Sequence, residues 1–293
     1  MQKQVSRVLW ITLFLNLLVS GIKISIGLVT RIQSILADGY HSLSDSSSNI
    51  IGLISTRISN KPVDEDHAYG HQRYETLATL VIVALLVFLG IEVISKAISN
   101  LLNPTEPSFS LVAIFLMIFT LIVNMFVTFS ETHFGKKYKS TILIADAKHT
   151  ASDIYITLGV LTNLVAITVF NAPLWLDSIT SLVIAVVIFK TAYGIFLASS
   201  KELTDAIAVD PHEIEEVVLK NIYVEEVHKI RSRKSGNHVF IDFHVKTDPQ
   251  MLLVQAHQLS HDLEDSLKQA FDGYEVSAVV HVEPKGVSSM RKK

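Results

Sequence analysis

The residues of this chain that could do chemistry come as a repeat. Ala37-Asp38-Gly39-Tyr40-His41-Ser42-Leu43-Ser44-Asp45 returns as Ala145-Asp146-Ala147-Lys148-His149-Thr150-Ala151-Ser152-Asp153. Each copy lies inside an apolar segment long enough to cross a bilayer. An ionisable group at membrane depth costs roughly 3 kcal/mol on insertion scales, so such groups are functional candidates by default. Carboxylate oxygens and imidazole nitrogens are donors that divalent transition metals accept. On a helix, His41 and Asp45 are four residues apart and share a face, as do His149 and Asp153. Two His and two Asp from facing helices could complete a tetrahedral site. The competing explanation is capping or hydrogen bonding between helices, and the duplication at matched depth argues against it. Asp38 and Asp146, three residues before each His, are assigned supporting roles beside the site, with local hydrogen bonding as the alternative. Lys23, Glu92, Lys96 and Lys190 are assigned to snorkelling or interhelical pairing.

The elements that must position these residues are membrane spans. The chain has 293 residues, 49% hydrophobic and 18% charged, with mean hydropathy +0.40. Soluble domains carry about 25% charged residues, so this composition describes a polytopic membrane protein whose surroundings are lipid. Six apolar segments run over about 8–29, 33–57, 77–101, 109–132, 141–170 and 174–199, each near or above the ~20 residues needed to span. The first follows Lys3 and Arg7 but has no small-x-small cleavage site, and reads as a retained helix rather than a signal peptide. There are no cysteines, which excludes disulfides and thiolate metal sites. Net charge is −3 and no basic block with interleaved aromatics occurs, so nucleic acid is not expected as a partner.

Loop charges orient the spans. Lys3, Arg7, Arg57, Lys61, Arg73, Lys136, Lys137, Lys139 and Lys201 fall on one side, with Arg31 nearly alone on the other. The positive-inside rule puts both termini in the cytoplasm. Span two then runs opposite to span five, which permits an inverted repeat with its site near the midplane. His41 and His149 each lie about eight residues into their segments, or ~12 Å at 1.5 Å per residue, within a core ~30 Å thick.

After Lys201 the charges become frequent. Asp210 and Pro211 open a helix, two alternating segments flank the hairpin signal Ser235-Gly236-Asn237, Leu252 to Phe271 is helical by its apolar spacing, and Val276 to Val282 is a final strand. The order α-β-β-α-β is that of a small α+β ferredoxin-like sandwich. The expected organisation is a six-helix transmembrane domain over 1–205, a cytoplasmic domain over 206–285 and a flexible tail over 286–293.

Six spans, His-x-x-x-Asp on spans two and five, and an α-β-β-α-β tail closely resemble the cation diffusion facilitator family of metal-ion/proton antiporters, over nearly the whole length. The resemblance implies a transport site at His41, Asp45, His149 and Asp153. The His2Asp2 set is similar to that of zinc-preferring members, although Fe2+, Mn2+, Co2+ and Cd2+ accept the same donors. Asp64, His67 and His71 between spans two and three have metal-ligand spacing in what could be a solvated loop. Their Asp-x-x-His-x-x-x-His pattern matches the family's loop site. His228, His244, His257, His281 and Glu283 resemble the family's cytoplasmic site at a homodimer interface, with Glu283 standing where bacterial members have Asp. His238 and His261 have no counterpart there and are expected on the surface. Arg73 and Asp205 resemble the family's charge interlock, the alternative being an ordinary juxtamembrane Arg. Phe134 to Ser140 is short and basic, which favours a bacterial protein of the inner membrane.

The expected function is export of a divalent metal ion, Zn2+ favoured, in exchange for protons, with zinc also bound in a regulatory role. Two other classes remain open. An intramembrane metalloenzyme usually needs His-Glu-x-x-His, which is absent here. A metal-responsive scaffold that does not transport would not need ligands at the midplane.

Overall fold

A computed structural model describes residues 2–59, 61–103, 111–138 and 141–286. The loop residues Lys139 and Ser140, and the expected tail beyond Gly286, lie outside these. Six long helices come first: α1 (Gln2–Thr30), α2 (Gln33–Ser59), α3 (Arg73–Leu102), α4 (Leu111–Tyr138), α5 (Thr141–Phe170) and α6 (Trp175–Leu203). Then follow α7 (Pro211–Val218), β1 (Glu226–Ser235), β2 (His238–Thr247), α8 (Leu253–Ala270) and β3 (Glu275–Pro284).

Among the described residues, five helices are long and apolar enough to cross a membrane. The remaining long helix is α2, with 27 residues. Its length suffices, but Asp38, His41, Asp45 and the serines that follow dilute its hydropathy. Such a helix is acceptable in a membrane only if its polar face is turned into the bundle, and Asp38, His41, Ser42 and Ser46 are all buried.

The chain divides into two compact units. One comprises Met1–Ile54 and Ala78–Phe196, the other Ser55–Leu77 and Leu197–Lys293. In the first unit, Ile26, Ile35, Leu86, Met117, Leu164 and Ile188 contribute buried apolar side chains from each of the six long helices. Arg31 turns the chain between α1 and α2 with φ 58°. The Asp177 carboxylate on α6 then receives the start of α2. It accepts from the backbone N–H of Gln33 at 2.7 Å and of Ser34 at 3.0 Å, and from Asn163 Nδ2 of α5 at 3.2 Å. A negative charge at a helix N-terminus satisfies otherwise orphaned donors and complements the helix dipole.

In the second unit β1 pairs antiparallel with β2, and β2 pairs parallel with β3. The β1–β2 turn is tight, and Gly236 takes φ 59°, a conformation that glycine adopts without steric cost. Asp210 caps α7 by accepting from the His212 N–H at 2.9 Å. Burial alternates along β2, so that Val239, Ile241, Phe243 and Val245 face inward. Leu259, Leu263 and Leu267 of α8 pack against that face. This is a helical transmembrane domain followed by a small α+β domain with a three-stranded sheet.

Candidate metal centre

Three of the repeated residues converge inside the first unit. His41, Asp45 and Asp153 offer ligand atoms that all lie within 4.8 Å of one another. His41 Nε2 is 3.7 Å from Asp45 Oδ2 and 3.5 Å from Asp153 Oδ1. His149 Nε2 is 3.2 Å from Asp45 Oδ1. The pairing follows from antiparallel packing of α2 and α5: moving one turn down α2 from His41 to Asp45 matches moving one turn up α5 from Asp153 to His149. Asp38, a turn before His41, correspondingly meets Thr157, a turn after Asp153. His41 and Asp153 are buried, whereas the His149 side chain is 45% exposed. Asp45, Asn49, Asp146, His149, Thr150 and Asp153 line a common polar cavity.

The donor set is unsatisfied as it stands. His41 Nδ1, Asp45 Oδ2 and Asp153 Oδ1 are buried without hydrogen-bond partners. His41 Nε2 can donate to only one of the two carboxylates it faces, whereas a cation held among the three groups would engage both. Tetrahedral ligands at ~2.0 Å from a metal are roughly 3.3 Å apart. The His41–Asp45, His41–Asp153 and His149–Asp45 separations of 3.7, 3.5 and 3.2 Å are close to that.

Asp38 does something different from Asp45. Fully buried Lys23 of α1 is 2.9 Å from each Asp38 oxygen, and its Nζ also donates to Ser42 Oγ at 3.1 Å and Thr157 Oγ1 at 2.8 Å. Lys23 is thus an interhelical partner and does not snorkel. Three donors on three acceptors, one of them charged, is the arrangement a buried ammonium requires. Lys96 pairs within α3 with Glu92 at 2.6 Å and reaches the Tyr40 hydroxyl at 3.3 Å. Lys23 was legible as a polar intrusion, but its partners on α2 and α5 were not.

The second unit holds two further clusters. In the loop before α3, Asp64 Oδ1 accepts from the His67 N–H at 2.7 Å and faces His67 Nδ1 at 3.0 Å. Asp64 Oδ2 is 3.2 Å from His71 Nε2. Desolvation alone would raise the Asp64 pKa. The hydrogen bonds from His67 and the nearby imidazoles outweigh it, so the pKa is lowered. Just beyond, Arg73 Nη2 meets Asp205 Oδ1 at 2.7 Å, while Asp205 Oδ2 lies 3.6 Å from Arg233.

The third cluster is a consequence of strand register. His228, His244 and His281 stand opposite one another across β1, β2 and β3. Glu283, two residues after His281, folds over them. Its carboxylate is 2.7 Å from His244 Nδ1, 3.3 Å from His228 Nε2 and 3.6 Å from His281 Nε2. The hydrogen bond from His244 is the main cause holding the Glu283 carboxyl below the ordinary range. His228, His244 and Glu283 could together hold a cation. His257 stands apart from this group on α8, edge-on to His261 at 4.6 Å between ring centroids. His261 is on the surface as expected. His238 is half-buried on the face of β2 opposite Val239, where it stacks on Phe240 and meets Ser277 Oγ at 2.9 Å.

Comparison with known proteins places this chain in a family. Residues 9–204 match the model of the cation efflux transmembrane domain, and residues 208–285 match that of the cation efflux protein cytoplasmic domain. The manganese efflux system protein MneS of Bacillus subtilis is 30% identical over 92% of this chain and 91% of its own. The cation-efflux pump FieF of Shewanella oneidensis is 27% identical over 90% of this chain and 88% of its own. Among solved structures, the metal-bound C-terminal domain of the CzcD transporter from Thermotoga maritima is 26% identical, covering 26% of this chain and 86% of that one with TM-score 0.24.

Proposed function

The chain belongs to the cation efflux family of metal transporters and is an integral membrane protein, and from that premise we propose that it exports a divalent transition-metal ion from the cytoplasm in exchange for protons. The observation that carries the reading is the buried group of His41, Asp45 and Asp153, in which the two carboxylate oxygens that face His41 Nε2 have no hydrogen-bond partner. Together with His149 they supply four donors from two antiparallel helices. A metal entering this site displaces protons, because imidazole and carboxylate bind either cation at the same atoms. An unperturbed His titrates near pH ~6.5, so modest acidity on the far side favours metal release. Each charge returning across 100 mV yields ~2.3 kcal/mol, which can be coupled to export. Loop charges support cytoplasmic termini in a bacterial inner membrane.

Residues 1–205 would carry transport, and 206–285 would bind metal and pair with a second copy. We assign Asp64, His67 and His71 to a loop metal site, and His228, His244, His281 and Glu283 to a regulatory site, with His257 contributing after dimerisation. Arg73 and Asp205 brace the start of α3 against the end of α6.

Two His and two Asp favour zinc as cargo. The manganese efflux names of relatives at 30% and 28% identity support a manganese reading with the same mechanism. One experiment tests both. Purified protein in vesicles, under an imposed pH gradient, is expected to move zinc faster than manganese, iron, cobalt or cadmium. Asp45→Ala and Asp153→Ala are each expected to lower that flux at least ~100-fold, the scale of losing a charged ligand. Native rates in either variant would remove these residues from the site.

A further inference from the structure

The repeat extends beyond the nonapeptide. The spacing that separates His41 from His149 also separates Thr12, Asn16, Ser20, Lys23 and Gly27 of α1 from Thr120, Asn124, Thr128, Glu131 and Gly135 of α4. The correspondence is geometric as well. A Cβ on Gly27 would come within 2.7 Å of Leu36, and one on Gly135 within 2.9 Å of Ile144, the residue at the same spacing from Leu36. One buried position changes its charge: Lys23 becomes Glu131.

Both side chains are fully buried. Lys23 meets Asp38, whereas Glu131 meets Asp146, the repeat equivalent of Asp38, with the two carboxyls in hydrogen-bonding reach. Thr150, equivalent to Ser42, donates to Glu131 Oε2 at 3.4 Å, and the Thr12 hydroxyl of α1 is also in reach. Glu131 Oε1 is buried with no hydrogen-bond partner. From α5 the titratable groups on this side are Asp146, then His149 and Asp153 further along the helix. α1 presents Thr12, and α2 presents Asn49 toward Asp146. Among the described residues no lysine or arginine pairs with Glu131. Two carboxylates in contact inside a membrane cannot both ionise. One proton between them removes a charge and supplies the donor that Oε1 lacks.

We propose that Glu131, hydrogen-bonded to Asp146, is a proton-binding site of the transport cycle, separate from the metal ligands, and that metal binding expels its proton. This rests on the transport reading above. Asp146 lines the cavity shared by Asp45, His149 and Asp153, so a divalent ion arriving there attracts the ionised form of the pair. The O–H bond of the carboxylic acid breaks, the proton leaves to water, and the electron pair stays on the carboxylate. When the metal departs, a proton returns. The equivalent pair in the first half is Lys23 with Asp38, whose opposite charges face each other, so the two halves share a geometry but only the second pair is two acids.

The test counts protons. Full-length protein in weakly buffered detergent solution receives zinc, and released protons are read with an indicator dye. Glu131→Gln preserves the shape of the acid but cannot ionise. It is expected to release about one proton fewer per bound ion, with a shallower pH dependence of zinc affinity. Glu131→Lys rebuilds the ion pair of the first half and is expected to show the same deficit, which guards against misfolding of the Gln variant. In the wild type, difference infrared spectra should show a protonated-carboxyl band lost on zinc addition. An unchanged proton count in whichever variant folds, or no such band in the wild type, overturns the proposal while leaving transport intact. Absence of flux of zinc, manganese, iron, cobalt and cadmium alike in the wild type under a pH gradient would instead remove the transport reading itself.

Discussion

At the scale of single residues, the transmembrane unit separates two uses of buried charge. His41, Asp45 and Asp153 leave polar atoms unpartnered, which suits the proposed cation site. Lys23 and Asp38 leave none, since every donor of the ammonium has an acceptor. Breaking such a pair by removing one partner strands the other charge, at a cost of about 3–5 kcal/mol. Lys23→Met is therefore expected to lower the thermal midpoint of the detergent-solubilised protein clearly, and Lys23→Met with Asp38→Leu to recover much of the loss. If Lys23→Met unfolds at the wild-type temperature, the ion pair does not hold α1 to α2. The difference between the two groups was only partly legible. His41, Asp45, His149 and Asp153 stand out because they interrupt apolar runs at a repeated spacing. The partners of Lys23 do not, because Thr157 is distant in sequence and its hydroxyl is common in spans. Glu131 carried a signal, the same spacing from Lys23 as His149 from His41, but it becomes meaningful only once the packing of α4 on α5 is known.

At the scale of elements, register decides what side chains can do together. Three histidines far apart in sequence meet because β1, β2 and β3 align His228, His244 and His281 in one row. The hairpin and the final strand were legible from alternation and turn residues, but no periodicity fixes register between β2 and the parallel β3. The same limit kept His238 from being seen as packed on the sheet. Glu283 has a lowered pKa in the folded chain, so the folded form binds its proton less readily than the unfolded form. Its contribution to stability is present above the ordinary carboxylate range and is lost as pH falls through the lowered value. With metal removed by chelator, the protection of β2 and β3 amides against hydrogen exchange, taken relative to the intrinsic rate at each pH, should fall on acidification through that range. Glu283→Gln should exchange faster at neutral pH and show a weaker acid dependence. An unaltered acid dependence in the variant would mean that the carboxylate does not tie these strands together.

At the scale of the whole molecule, the proposed reading makes one site out of the two halves of the repeat. Each half contributes one His-x-x-x-Asp, and His41 lies against Asp153 while His149 lies against Asp45. The cross-pairing is the arrangement that a shared centre requires, and the proposal is of one centre rather than two. If each half held its own ion, Asp45→Ala would leave the site around His149 and Asp153 able to bind, and the losses from the two substitutions would add. In a shared centre, either substitution removes an oxygen donor from the same ion and exposes the remaining carboxylate to an unfilled cavity. Residues that act as a unit lose their function together, so their effects do not add. Asp45→Ala, Asp153→Ala and the double variant are therefore expected to show similar residual zinc flux, each with one high-affinity ion fewer per chain by equilibrium dialysis. A double variant that loses the product of the single effects, or single variants that keep half of the transmembrane binding, would show that the halves work independently. The antiparallel match of α2 and α5 then would serve packing rather than coordination.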